Sequence, residues 1–257
     1  MKPSRRNLFF ILLAAIVATL TTTTTLRGRE QVGDKATLPK RQQEQEEFES
    51  QFPATGFEAS EPTDPDKRAL RQKKSKQYDN SHFVNRGDAS SAATESVFFD
   101  EWDAGLPALP SSQSEVIVIG DVTDAQANLS NDKTGIYSEF TVTIEEILKN
   151  GTPATLAVNS AVCLDRQGGA VLYPSKGKYL YRVAGQGMPR VGRRYVFFLK
   201  ATDLAQTFRI VTAYELRSGR VFPLDSAEQF NVYKGVEATK LLDALWSVIG
   251  RSGTEIN

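Results

Sequence analysis

Histidine and cysteine, the side chains that most often carry proton transfer and covalent catalysis, occur once each in the 257 residues, as His82 and Cys163. A thiol nucleophile needs a base within hydrogen-bond reach. His82 falls in a polar stretch, whereas Cys163 sits in Ala161-Val162-Cys163-Leu164 and reads as a small buried apolar residue. No histidine follows residue 113, which removes serine–histidine and cysteine–histidine couples from that region. Ser175 and Lys176 are neighbours in a turn, and a serine–lysine dyad would need them to converge through space. Gly185-Gln186-Gly187 lacks the lysine and the following helix of a phosphate-cradling loop. The oxygen-rich run Asp121, Asp124, Asn128, Asn131 and Asp132 lacks the ligand spacing of a calcium loop and reads as a solvated loop. No cofactor and no metal are expected from these residues. Glu139 and Glu145 are the acids from which a dispersed glycan-active site could be built, given a suitable separation. The expectation is a non-catalytic protein, with that enzyme as an alternative.

One charge pattern points to a ligand. Lysine plus arginine and aspartate plus glutamate balance at 31 each. Yet no acid stands between Asp165 and Asp203, while Arg166, Lys176, Lys178, Arg182, Arg190, Arg193, Arg194 and Lys200 all do. Lys176, Lys178, Arg182, Arg190, Arg193 and Arg194 form the candidate basic face. Such a face would favour phosphates, lipid headgroups, acidic glycans or an acidic protein patch. The alternative is that these cations are scattered and paired with acids such as Glu139 and Glu145. Tyr179, Tyr181 and Tyr195 interleave with the arginines as stacking platforms do. An exported domain rarely meets nucleic acid, so none is expected here.

The elements that must position these residues follow a three-part layout. Lys2, Arg5 and Arg6 precede the apolar run Leu8 to Leu20, the pattern of an export signal. With Thr21 to Leu26 added, the stretch approaches the ~17–25 residues of a membrane helix. Residues 1–26 are therefore expected to be a signal peptide or a signal-anchor helix, which associates the chain with a membrane. Ala18-Thr19-Leu20 is a poor cleavage site, which favours the anchor. Residues 27–113 are polar, of mixed charge and interrupted by Pro39, Pro53, Pro62 and Pro65. Such composition does not offset chain entropy, so a disordered linker is expected. Two aromatic islands, residues 78–84 and 97–102, either dock on the folded domain or serve as linear motifs for a partner.

From Glu115 the hydropathy alternates with period two. Phe140, Val142 and Ile144 point one way and Glu139, Thr141 and Thr143 the other. Glu145-Glu146 breaks the alternation, which predicts a bulge or a strand end. Asn150-Gly151 signals a turn. Further strands are expected over 155–166, 178–183, 195–200, 208–214 and 220–224. Short, regularly spaced strands without interleaved helices predict a mainly β domain over 114–225, an antiparallel barrel or sandwich. Within 226–257 a helix is expected, with Ala238, Leu242, Leu245 and Ile249 on one face, Leu241 and Trp246 broadening it, and Gly250 ending it.

Three segments carry a family resemblance: residues 115–123, 137–149 and 192–200. The chain resembles the uncharacterised small β-barrel domains, OB-like or netrin-like, of bacterial extracytoplasmic proteins. The resemblance implies a small OB-like barrel and no established activity. Netrin-type barrels that inhibit proteases rely on disulfides, which a single cysteine cannot form internally. The expectation is thus an extracytoplasmic binding module of the cell envelope, membrane-anchored or secreted after cleavage. Its expected partner is an envelope protein or an anionic polymer.

Overall fold

The computed structural model describes residues 49–50, 52–81, 84, 94–101, 105–174 and 177–252. The apolar segment 1–26, His82, Trp102 and Lys176 lie outside the described residues. Among the described residues, no helix is long and apolar enough to cross a membrane.

The protein is mainly β, and the alternation of the second predicted strand decides its principal sheet. Strand β4 (Ile136–Asn150) buries Phe140, Val142 and Ile144 and leaves Glu139, Thr141 and Thr143 half-buried. It pairs with β3 (Val116–Leu129) on one side and with β5 (Ala161–Gln167) on the other, antiparallel in both cases. Strand β8 (Arg194–Ala201) pairs antiparallel with β3, and β9 (Thr207–Arg217) pairs antiparallel with β8 and parallel with β5. Strand β10 (Arg220–Pro223) folds back on β9. Each of β3, β4, β5 and β8 therefore has two hydrogen-bonded neighbours, and β9 has three.

The break at Glu145-Glu146 is a bulge. Ile144 faces Gly120 and Glu146 faces Ile119, so Glu145 is the extra residue and the strand continues to Asn150. A Cβ on Gly120 would collide with the Thr143 carbonyl and with Val142, so glycine is required at this crossing. Strand β3 runs on to Leu129, beyond the segment 115–123 that carries the resemblance. Its extension buries Ala127 and Leu129 in a second apolar cluster with Ile136, Val171, Tyr181 and Val183.

That second cluster lies against a second sheet, of order β1-β6-β7-β2. Strands β6 (Gly169–Leu172) and β7 (Lys178–Ala184) form an antiparallel pair. The outer strands β1 (Ala54–Gly56) and β2 (Thr94–Glu101) add to them in parallel. Between β1 and β2 comes helix α1 (Pro65–Ser75), capped by Asp64, which accepts from the amides of Asp66 and Lys67. A 3-10 turn (Lys76–Tyr78) follows it.

Where its residues are described, at 52–81, 84, 94–101 and 105–113, these elements correct the expectation of a disordered linker over 27–113. Gln51–Asn257 forms one compact unit, so the fold starts long before residue 114. The segment is too polar to build a core of its own, but it does not need one. It adds backbone ladders to an existing sheet and buries a few apolar side chains, Phe52, Tyr78 and Val84. The Tyr78 ring, from the first aromatic island, stacks on Tyr137 with centroids 4.4 Å apart. Docking on the fold is thus the observed outcome at Tyr78, and strand β2 includes most of the second island.

The expected terminal helix is α2 (Ala238–Ser252), which runs past Gly250. Leu241 and Leu245 are fully buried, in a cluster with Ile117, Ile119, Phe198, Tyr214 and Phe230. Ala238, Leu242 and Ile249 flank that cluster. Trp246 is 46% exposed, so it does not broaden the packed face as expected.

Candidate functional site

The proposed basic face divides between the two sheets. Lys178 and Arg182 belong to β7 in the second sheet, and the Arg182 guanidinium lies 5.5 Å from the centroid of the Phe52 ring. Burial lowers the Arg182 pKa. Arg190 lies in the loop before β8, where its backbone amide donates to the Tyr195 hydroxyl. Burial pushes that hydroxyl up to about 12. Arg193 and Arg194 stand at the start of β8, half-exposed and facing acids. Arg194 Nε donates to Glu145 Oε2 at 2.6 Å, and Arg193 lies 3.9 Å from Glu215. The bulge that displaces Glu145 supplies the carboxylate for Arg194. Burial and the neighbouring Asp121 carboxyl raise the Glu145 pKa, with Arg194 opposing.

The two glutamates considered for catalysis do not meet. Glu139 and Glu145 both lie on β4, six residues apart, or about 20 Å along a strand at ~3.3 Å per residue. Paired glycosidase carboxyls stand about 5–9.5 Å apart. Glu139 is engaged elsewhere. Lys74, 7% exposed at the end of α1, donates through Nζ to Glu139 Oε1 at 2.8 Å and to Cys163 Sγ at 3.3 Å. Asn128 Nδ2 donates to Glu139 Oε2. Burial works against charge on Lys74, but Cys163 and Glu139 hold its pKa above the ordinary value. Burial and Glu139 raise the Cys163 pKa, against the pull of Lys74, so the thiol stays protonated at neutral pH. Cys163 is half-buried beside a cation, which corrects its reading as a purely apolar packing residue.

The oxygen-rich loop is likewise occupied by the chain itself. Asp132 accepts from Ser130 Oγ and from the amide and hydroxyl of Thr134 through Oδ1, and from the Asn80 amide through Oδ2. Burial opposes ionisation, but these hydrogen bonds outweigh it and hold the carboxyl well below the usual carboxylate range. Asn131 Nδ2 donates to the Gln72 carbonyl. The loop clamps the docked N-terminal arm, and no metal-holding group of acids, histidines and cysteines occurs among the described residues.

Next to this arm opens a cavity of about 370 Å³, within the ~300–1,000 Å³ of small-molecule sites. The 3-10 turn places Gln77 and Tyr78 in one wall. Strand β5 supplies Arg166 and Gln167, and the β8–β9 pair supplies Lys200, Arg209, Ile210 and Val211. Gln186 comes from the loop after β7. No acid lines the cavity among the described residues.

Arg166 is the most constrained of these groups. It is 2% exposed; its Nη1 donates to the Gly187 carbonyl and its Nη2 to Asp225 Oδ2, both at 2.8 Å. Asp225 is further held by Thr212 Oγ1 and the Gly187 amide. A Cβ on Gly187 would overlap the Leu224 carbonyl oxygen, so this turn also needs glycine. Arg166 Nε is buried and makes no hydrogen bond, whereas the hydroxyl of Tyr78, a residue 6% exposed, has the Asp165 carboxyl as its partner. Asp165 lies near that hydroxyl and 3.6 Å from Arg209, and burial raises the pKa of both Tyr78 and Asp165. Arg209 Nη2 donates to Gln77 Oε1.

Arg166 and Lys200 belong to the acid-free run of the sequence but not to the candidate face chosen from it. Their signal was the alternation of the strands that carry them, which places the two ends of the run on the principal sheet. Gln77 and Tyr78 carried no ligand signal at all. No protein-family model matches the chain, and no curated protein matches it in sequence.

Proposed function

We propose that the chain is a non-catalytic binding module that acts outside the cytoplasm, tethered to the cell envelope by its N-terminal segment, and that it takes an anion-bearing ligand in the cavity of Arg166 and Lys200. The pairings β3–β4–β5–β9–β8–β3 return to their first strand, which supports a small OB-like barrel as the scaffold. One observation carries the binding reading. Three cations, Arg166, Arg209 and Lys200, line a cavity without a lining acid, and Lys200 has no acid partner among the described residues.

The test is thermal stabilisation of the full chain by acetate, inorganic phosphate, citrate and a carboxylated polymer. The expected result is a rise in Tm with at least one anion, diminished in Lys200→Gln. No rise with any of them would reject the cavity as the binding site. The envelope tether is tested by protease accessibility of the domain in intact cells, and resistance until the cells are opened would reject it.

A further inference from the structure

We infer that the ligand of this cavity is an acidic saccharide, a sugar unit that bears a single carboxylate; this rests on the binding reading above. The charge of the site sets the first half of the argument. Arg166 is neutralised by Asp225 and Arg209 faces Asp165, so Lys200 is the lining cation left without an acid partner among the described residues. One uncompensated positive charge matches a monoanion. A phosphate monoester carries about −1.5 to −2 charges at neutral pH and would be left under-neutralised.

The neutral lining sets the second half. A sugar hydroxyl both donates and accepts, so its site needs donors and acceptors side by side. Gln77 has its Oε1 occupied by Arg209, which leaves its amide hydrogens to donate. Gln186 has its Nε2 engaged with the Gln167 carbonyl, which leaves Oε1 to accept. Ser81 Oγ donates to the Thr134 carbonyl and retains lone pairs. Ile210 and Val211 add an apolar side against which the C–H face of a pyranose can lie. A bare inorganic anion could accept from Gln77 but would use neither the Gln186 acceptor nor the apolar side. A saccharide with one carboxylate uses all of them, with the carboxylate at Lys200.

Binding to the full chain is measured by ligand-observed NMR titration with methyl glucuronide, methyl glucoside, acetate and inorganic phosphate. Methyl glucuronide is expected to bind about tenfold more tightly than either methyl glucoside or acetate, the worth of one charge-assisted hydrogen bond. Lys200→Gln should abolish the preference for glucuronide over glucoside. Gln186→Leu should abolish the preference for glucuronide over acetate. Both positions are accessible from the cavity, so folding is checked independently by the unchanged Tm of each variant. Equal affinity for glucoside and glucuronide, or for acetate and glucuronide, overturns the inference. Phosphate binding that depends on Lys200, with no glucuronide binding, overturns the saccharide and leaves the anion-binding reading standing. No binding by any probe overturns both.

Discussion

Lys74 is a cation inside a protein, and its neighbours decide what that costs. Its ammonium holds Glu139 at 2.8 Å, and the pair joins the N-terminal arm to strand β4. Removing one partner of a buried ion pair leaves the other uncompensated, which costs about 3–5 kcal/mol. Lys74→Met is therefore expected to destabilise the protein by about 3 kcal/mol, at the low end because Glu139 retains some exposure. Lys74→Met with Glu139→Gln should cost less than the two single changes summed. Urea denaturation of the four proteins measures both statements. Asp132 contributes in a pH-dependent way. Its folded pKa lies below its unfolded value, so its stabilisation is complete above about pH 4 to 5 and is lost as pH falls toward the folded pKa. Asp132→Asn lacks that contribution at every pH. The gap in urea midpoint between wild type and Asp132→Asn should be widest near pH 7 and should narrow as pH falls below about 4. A gap that stays constant with pH would reject this role for the carboxylate.

The N-terminal arm is the element that composition misjudged. Strand β1 attaches by backbone bonds to β6, helix α1 buries only Lys74 and Ser75, and the arm's aromatic contacts are Phe52 with Arg182, Phe57 with Tyr173, and Tyr78 with Tyr137 and Arg209. An element with so few apolar contacts should open locally at lower free energy than the principal sheet. The Asp64 cap is exposed and its carboxylate accepts from the amides of Asp66 and Lys67 in its own helix turn. Asp64→Ala is expected to lower the stability of the arm by about 1 kcal/mol. Amide hydrogen exchange should then quicken in α1 and leave β3 and β4 unchanged. Uniform quickening throughout the chain would mean that the arm and the sheet unfold as one unit. Bulges in β3 and β4 show the opposite relation between sequence and element. The doublet Glu145-Glu146 disrupts the alternation in the same place where the ladder takes on an extra residue, because an even register would turn one of those acids into the core.

At the scale of the molecule, the cavity exists only where several chain segments converge. Gln77 and Tyr78 come from the arm, Arg166 from β5, Gln186 from a loop and Lys200 from β8. The exposed arginines at the start of β8 are a separate surface. Arg193→Glu with Arg194→Glu places new acids beside Glu215 and Glu145, and both arginines are half-exposed, so the fold should persist. A ligand of the cavity should bind this double variant with unchanged affinity, whereas a partner of the exposed basic surface should lose it. Titration of the double variant beside Lys200→Gln separates the two.

The period-two pattern, the break in alternation at Glu145-Glu146 and the amphipathic C-terminal helix were determined by the sequence alone, whereas the ladder decided that the break is a bulge and carried the strand on to Asn150, the first residue of the expected turn at Asn150-Gly151. Each of these patterns is a local matter of which side chains avoid water, and neighbouring residues suffice to state it. The docking of residues 52–81, the pairing of β1 and β2 with the second sheet, and the position of Lys74 were decided only in the tertiary structure. Backbone ladders and buried ion pairs depend on partners far away in the chain, and they leave no mark on hydropathy. The candidate site divides along the same line. The absence of acids between residues 165 and 203 was visible as text, but which of the cations there would remain without an acid depended on the strand order. Pairing brought Glu145 to Arg194 and Asp225 to Arg166, and it left Lys200 facing the cavity with its charge uncompensated among the described residues.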